Sequence, residues 1–298
     1  MKTMKSLVSK LVILSILITL SSVVFAELPP PALSPQEQLG KLIFFDKMLS
    51  TPIGQSCAAC HAERVGWTGP EPFTNLGGSV YEGAVHGRFG NRKPPSSGYA
   101  FTSPDFHYDA AEGLFVGGQF WDGRAANLVA QAKGPFLNPL EQNNPDAQTV
   151  CTKIAAGSYA GLFEQVYGPG SLDCFGNVDA TYHRIAQAVA VFESSRAVNP
   201  FNSKYDRFFA GKETLTDQEL LGLQLFEGKA NCAACHVSVA TVDAPAMFTD
   251  FTYDNLGVPK NPLNPFYNMP PEFNPDGANW VDHGLGGFLA NKIGRAHV

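Results

Sequence analysis

Two identical pentapeptides, Cys57-Ala-Ala-Cys60-His61 and Cys232-Ala-Ala-Cys235-His236, each place two thiols and an imidazole at positions i, i+3 and i+4. On a helical turn these positions share a face, so both thiols can form thioethers with the vinyl groups of a haem while the histidine reaches its iron. The composition of the chain gives about 0.003 chance occurrences of this pattern, and two are present. A redox C-x-x-C pair or a zinc site requires no histidine directly after the second cysteine, let alone twice. Two covalently bound haem c groups are therefore expected, one on Cys57 and Cys60 with His61 as axial iron ligand, the other on Cys232 and Cys235 with His236.

The elements that must position these motifs form an internal repeat. Leu33–Phe44 and Leu215–Phe226 match at six of twelve positions, and each precedes a haem motif. Ser34 with Glu37, and Thr216 with Glu219, read as capping boxes that start a helix. Further helices are predicted at Asn127–Lys133, Ala147–Ala156 and Tyr182–Ser195, the last with Ile185, Val189 and Phe192 on one face. A boundary near Asn199-Pro200 divides the chain into an N-terminal haem domain, 27–199, and a C-terminal one, 200–292. From the first haem motif to Leu114 the chain is rich in Gly, Pro and Ser without a sustained period, and reads as ordered loops over a cofactor. The whole chain contains 29 Gly and 22 Pro in 298 residues, and only 16% of it is charged, which fits such shaped loops.

Residues 1–26 read as an export signal: Lys2, Lys5 and Lys10, the apolar run Leu11–Leu20, then Val24-Phe25-Ala26 with small residues at −3 and −1. The apolar run is too short to span a bilayer, and no Cys stands at the cleavage point, so no membrane anchor is expected. Removing three lysines takes the net charge from −6 to −9, which argues against nucleic acid as a partner. Cys151 and Cys174 remain; in an oxidising compartment a disulfide is the default, two unpaired buried thiols the alternative. At the other end, Ile293-Gly-Arg-Ala-His-Val298 is the in-frame translation of a common sequencing adapter, so 293–298 is expected to be non-native and the gene to continue past Asn291.

The segment Gly118-Gln-Phe-Trp121-Asp-Gly-Arg124 is followed by Gln131 and by Asn138-Pro-Leu-Glu141. Here the chain resembles the bacterial di-haem cytochrome c peroxidase and MauG superfamily, whose members carry Gln ten and Glu twenty residues beyond the Trp of this motif. The resemblance covers nearly all of the mature chain. It implies a mainly α fold of two cytochrome c-like haem domains with long irregular loops, in the periplasm. His61 would then hold the peroxide-reacting haem and His236 the electron-transfer haem. Glu141 would move the proton between the peroxide oxygens, Gln131 would orient peroxide, and Trp121 would relay electrons between the haems. Electrons would come from a small c-type cytochrome or copper protein, and homodimers are common in the peroxidase branch.

Other residues carry less of the resemblance. His86, in Val85-His-Gly-Arg88, resembles the segment that supplies a distal histidine to the resting iron in many peroxidases, whereas MauG-like members leave that iron open. Asn91 resembles a calcium ligand, although Gly90-Asn-Arg-Lys-Pro94 departs from the usual Arg-Asn-x-Pro order. Met269, Tyr253, Tyr267 and His283 are not expected to be the sixth ligand of the second haem, because the family takes it from a later Pro-x-Leu-Arg-Asn segment that is absent here. The function implied is hydrogen peroxide reduction by an oxidoreductase. The alternatives are MauG-like oxidation of Trp or Tyr on a partner protein, or a non-catalytic di-haem electron carrier.

Overall fold

The computed structural model describes residues 32–241 and 244–289; the expected leader at 1–26 and tail at 293–298 lie outside them. Ser34 caps α1 (Pro35–Phe45), its hydroxyl accepting from Glu37 N–H while the Glu37 carboxylate takes the Ser34 N–H at 2.6 Å. Leu39, Ile43 and Phe44 fall on one face of this helix and are buried. Next come the four-residue turn α2 (Cys57–Cys60), the short α3 (Pro72–Leu76), and a hairpin of β1 (His107–Asp109) and β2 (Leu114–Val116), with Tyr108 opposite Phe115.

Helix α4 (Leu128–Leu137) starts at its Asn127 cap as the sequence predicts but runs four residues further, through Pro135. Then follow α5 (Ala147–Ala156), with the predicted bounds, and α6 (Ala160–Tyr167), which sequence reading missed. The centre of the fold is α7 (Val178–Glu193), which begins a turn before the predicted Tyr182. Ile185 and Phe192 on α7 are fully buried, and α1, α4 and α5 all pack against this helix. A Cβ at Gly40 would overlap the Ala188 carbonyl, so only glycine lets α1 cross α7 this closely. Each buried Phe here (Phe44, Phe136, Phe163, Phe192) contributes on the order of 2 kcal/mol. Cys151 and Cys174 form a disulfide that ties α5 to the loop before α7.

Beyond Asn199 the elements are α8 (Lys204–Phe209), α9 (Asp217–Glu227) and α10 (Leu285–Phe288). The second copy of the repeat forms α9 with the same capping box, Thr216 and Glu219. Its packing differs: among the described residues none covers α9 fully, and a Cβ at Gly222, the counterpart of Gly40, would meet nothing within 4 Å. Local sequence sets the helix in both copies, and the surroundings decide whether its apolar face is covered by protein.

Candidate functional site

In both haem motifs the histidine backbone N–H returns to the first cysteine carbonyl at 2.9 Å, winding the pentapeptide into one turn. That turn brings the two thiols and the imidazole onto a common face. His61 directs Nδ1 at the Trp67 carbonyl, 3.3 Å away, and His236 directs Nδ1 at Phe248 O, 2.9 Å away. A carbonyl on Nδ1 fixes the tautomer and leaves Nε2 as the basic nitrogen for a metal. Burial lowers the pKa of His61, which keeps the imidazole in the neutral form a metal needs. Burial also raises both thiols of the first motif, Cys60 to about 12.

The first motif opens onto a cavity of about 480 Å³, within the range of cofactor pockets. Cys57, Cys60 and His61 form one part of its wall, and Trp121, Gln131 and Glu141 form another. The structure thus gathers residues up to 84 apart in sequence, Cys57 to Glu141, around one space. Three side-chain oxygens on this wall, Gln55 Oε1, Gln142 Oε1 and Glu193 Oε2, are buried without hydrogen-bond partners among the described residues. Paired thiols, a neutral imidazole beside them and unmet polar atoms around this volume fit a haem c.

Trp121 sits in a turn whose indole N–H donates to the Lys93 carbonyl at 2.7 Å. Its neighbour Asp122 is buried and bridges two arginines, accepting from Arg92 at 2.6 Å and Arg124 at 2.8 Å. Arg124 lies over the Phe120 ring, 3.6 Å from its centroid. Gln131 is carried on α4, half-buried, and among the described residues its amide has no hydrogen-bond partner. Glu141 follows the α4 terminus in a tight turn, where Asn138 Nδ2 donates to Glu141 Oε1 at 2.8 Å. Burial raises the Glu141 pKa, while Arg124 and Asn138 oppose the rise. The main chain of the turn is held by Ala84 N–H, which donates to Glu141 O at 2.7 Å.

Of the two weaker candidates, only Asn91 reaches the cavity. His86 has a side chain 98% exposed, is hydrogen-bonded to Glu82 at 2.8 Å, and does not line the cavity. Asn91 does line it, and its carbonyl accepts from Asn264. Among the described residues no three His, Cys, Asp or Glu side chains gather as a metal cluster. Tyr253 is buried with its hydroxyl on Gly117 O, Met269 Sδ accepts from Phe89 N–H, the Tyr267 ring packs at a tilt against Trp280, and His283 borders a polar cleft beside Asp282 that shares Asn91, Arg92 and Asp122 with the first cavity. Sequence reading missed Asn138, Arg92, Asp122 and Glu193. Glu193 alone left a local signal: it stands one helical turn after Val189, on the buried stripe of α7.

A mainly helical chain with two haem-binding turns, one facing a cavity that carries a buried carboxyl, defines a di-haem c-type protein. The family model described as di-haem cytochrome c peroxidase matches residues 34–214, and the chain belongs to that family. It is 38% identical over 264 residues to the methylamine utilization protein MauG of Paracoccus denitrificans, covering 87% of this chain and 65% of that one. It is 32% identical over 215 residues to the cytochrome c551 peroxidase of Nitrosomonas europaea, covering 70% of this chain and 54% of that one. Among solved structures, the diheme peroxidase BthA of Burkholderia thailandensis superposes with a TM-score of 0.74 at 32% identity, covering 88% of this chain and 62% of that one. The chain therefore spans less than two thirds of the length of each of these proteins. Family membership implies haem c as the cofactor.

Proposed function

We propose that this chain is a periplasmic di-haem oxidoreductase that reduces hydrogen peroxide to water with electrons from a small c-type cytochrome or copper protein. The observation that carries this reading is the convergence of Glu141, Gln131 and Trp121 on the cavity that also holds Cys57, Cys60 and His61. Bound haem would supply an iron that accepts peroxide and exchanges electrons with it. Cys57 and Cys60 would hold it covalently, and His61 Nε2 would be its axial ligand. Residues 27–199 and 200–292 would be its two cytochrome c-like haem domains, with Cys232, Cys235 and His236 holding the electron-transfer haem.

Glu141 is suited to move a proton between the two peroxide oxygens. A carboxyl raised by burial is a stronger base than a solvated one, and it sits at the cavity rather than in bulk water. The unpartnered amide of Gln131 would donate a hydrogen bond that orients peroxide beside Glu141. Trp121, its indole fixed by Lys93 O, is an oxidisable ring on the same wall and would pass single electrons. Steady-state peroxide turnover with a reduced small cytochrome tests the assignment. Glu141→Gln is expected to lower kcat by roughly 10²- to 10⁴-fold at unchanged haem content; unchanged turnover would remove Glu141 from the mechanism.

A second reading, oxidation of Trp or Tyr on a partner protein, draws on the 38% identity to MauG. It predicts peroxide consumption without added cytochrome, with the oxidising equivalents recovered as modified aromatic residues on the partner.

A further inference from the structure

Glu193 closes α7 with its side chain 5% exposed, and it lines the first cavity one turn beyond Val189. The Ser97 side chain lies close enough to the carboxyl to draw its pKa down, and Oε2 is buried without a hydrogen-bond partner among the described residues. Ser97 also belongs to the support of the axial ligand. Its backbone N–H donates to the Trp67 carbonyl at 3.0 Å, the carbonyl that His61 Nδ1 faces at 3.3 Å. Asn199 clamps the ends of this array: its Nδ2 donates to Glu193 O at 2.7 Å, and its Oδ1 accepts from Tyr99 N–H, two residues beyond Ser97. A run of polar groups therefore leads from the Glu193 carboxyl, past Ser97 and the Trp67 carbonyl, to the imidazole of His61.

We propose that Glu193 couples a proton to the electron occupancy of the first haem site, taking one proton from solvent when one electron enters and returning it when the electron leaves. This rests on haem attachment at Cys57, Cys60 and His61. Charge balances, since one electron and one proton together leave the net charge of the site unchanged; the electron comes from the reduced donor protein, or from a redox mediator in the test. A carboxylate in a poorly solvated wall opposes an arriving electron, and its protonation removes that opposition. Burial already pushes the Glu193 pKa up to about 7, with Ser97 drawing it partly back.

The neighbouring charges leave this role to Glu193. The helices packed on α7 carry Glu37 and Lys41 on α1, Lys133 on α4 and Lys153 on α5, none of which lines the cavity. Asp179, His183 and Arg184 lie on α7 itself, at least two turns away. From the cavity wall, Arg92 is committed to Asp122 and Asp282, and Arg124 to Asp122. Cys57 and Cys60 lose their titratable protons on forming thioethers, which leaves Lys93, Tyr81, Glu82 and Glu141 as the other ionisable groups of that wall.

Spectroelectrochemical titration of the haem-loaded protein from about pH 5 to about pH 9 tests the coupling. The transition to follow is the one lost in a Cys57→Ser, Cys60→Ser variant; if that variant loses no transition, the haem reading of this site is wrong and the proposal goes with it. In the wild type its potential is expected to fall as pH rises through 7, approaching a tenfold change in the reduced-to-oxidised ratio per pH unit, about 59 mV. Glu193→Gln, which keeps the shape but cannot ionise, is expected to give a flat, higher potential over the same range. An unchanged slope in Glu193→Gln overturns the proposal. Independently of how that variant folds, redox-difference infrared spectra of Glu141→Gln should show a protonated-carboxyl band appearing on reduction, and its absence overturns the proposal equally.

Discussion

Arg92 grips Asp282 with two hydrogen bonds, Nε to Oδ2 and Nη2 to Oδ1, each 2.6 Å long and spanning 190 residues of chain. Its remaining arm holds Asp122, so one guanidinium ties a late loop to the turn that carries Trp121. The Arg92 side chain is 15% exposed and that of Asp282 22%. Removing the cation would take the shared partner from two poorly solvated carboxylates, of which Asp122 keeps Arg124, at a cost of about 3 kcal/mol. Arg92→Met is expected to destabilise the holoprotein by that order in denaturant unfolding. Arg92→Lys should recover only part, because an ammonium cannot make the paired fork.

The Asn138 to Glu141 contact makes a prediction about pH. Asn138 Nδ2 stabilises the ionised Glu141, opposing the effect of burial. Asn138→Asp keeps an acceptor for Leu140 N–H but replaces the donor with a negative charge. The Glu141 pKa then rises, and the ionised base is populated only at higher pH. The acid limb of kcat/KM for peroxide is expected to move upward by on the order of one pH unit. If the limb stays in place, the group that must ionise is not Glu141.

Gly83 lies against the turn that presents Glu141. A Cβ there would overlap the Leu140 carbonyl and lie 2.9 Å from Glu141 O. Both contacts are main chain and cannot swing aside, so Gly83→Ala must displace the turn. A stability loss of about 1–3 kcal/mol is expected, with kcat falling at normal haem content. Haem absorbance and turnover measured on the same preparation separate this from a folding failure.

The Cys151–Cys174 disulfide closes a loop of 23 residues that contains α6. Holding that loop closed restricts the unfolded chain, a contribution of about 3 kcal/mol. Cys151→Ala with Cys174→Ala should lower the unfolding midpoint by that order while leaving the haem spectrum unchanged. A shifted haem spectrum would mean that the bridge also positions the cofactor wall.

Several features were legible without coordinates because their causes are local. A thioether turn needs five consecutive residues and a capping box four, so both haem motifs, and the starts of α1 and α9, follow from neighbours in sequence. The same holds for α5, whose Asp146 cap and apolar spacing lie within one segment. Helix α4 outruns its predicted end at Lys133: Pro135 removes one helical hydrogen bond, but the buried Phe136 keeps the helix going for another turn. The spacing of Trp121, Gln131 and Glu141 pointed to a site only through family likeness, since nothing in twenty residues of sequence says that a loop, a helix and a turn face one space.

What sequence alone determined about this protein is its covalent chemistry, two haem-binding turns each opened by a capped helix. Tertiary structure decided that the first repeat helix is buried against α7, that Arg92 finds Asp282, and that Glu193 ends beside Ser97 in the cavity wall. The physical reason is range. Bond-forming geometry and capping act within one or two turns of chain, whereas desolvation and charge pairing depend on which distant residues exclude water from a group.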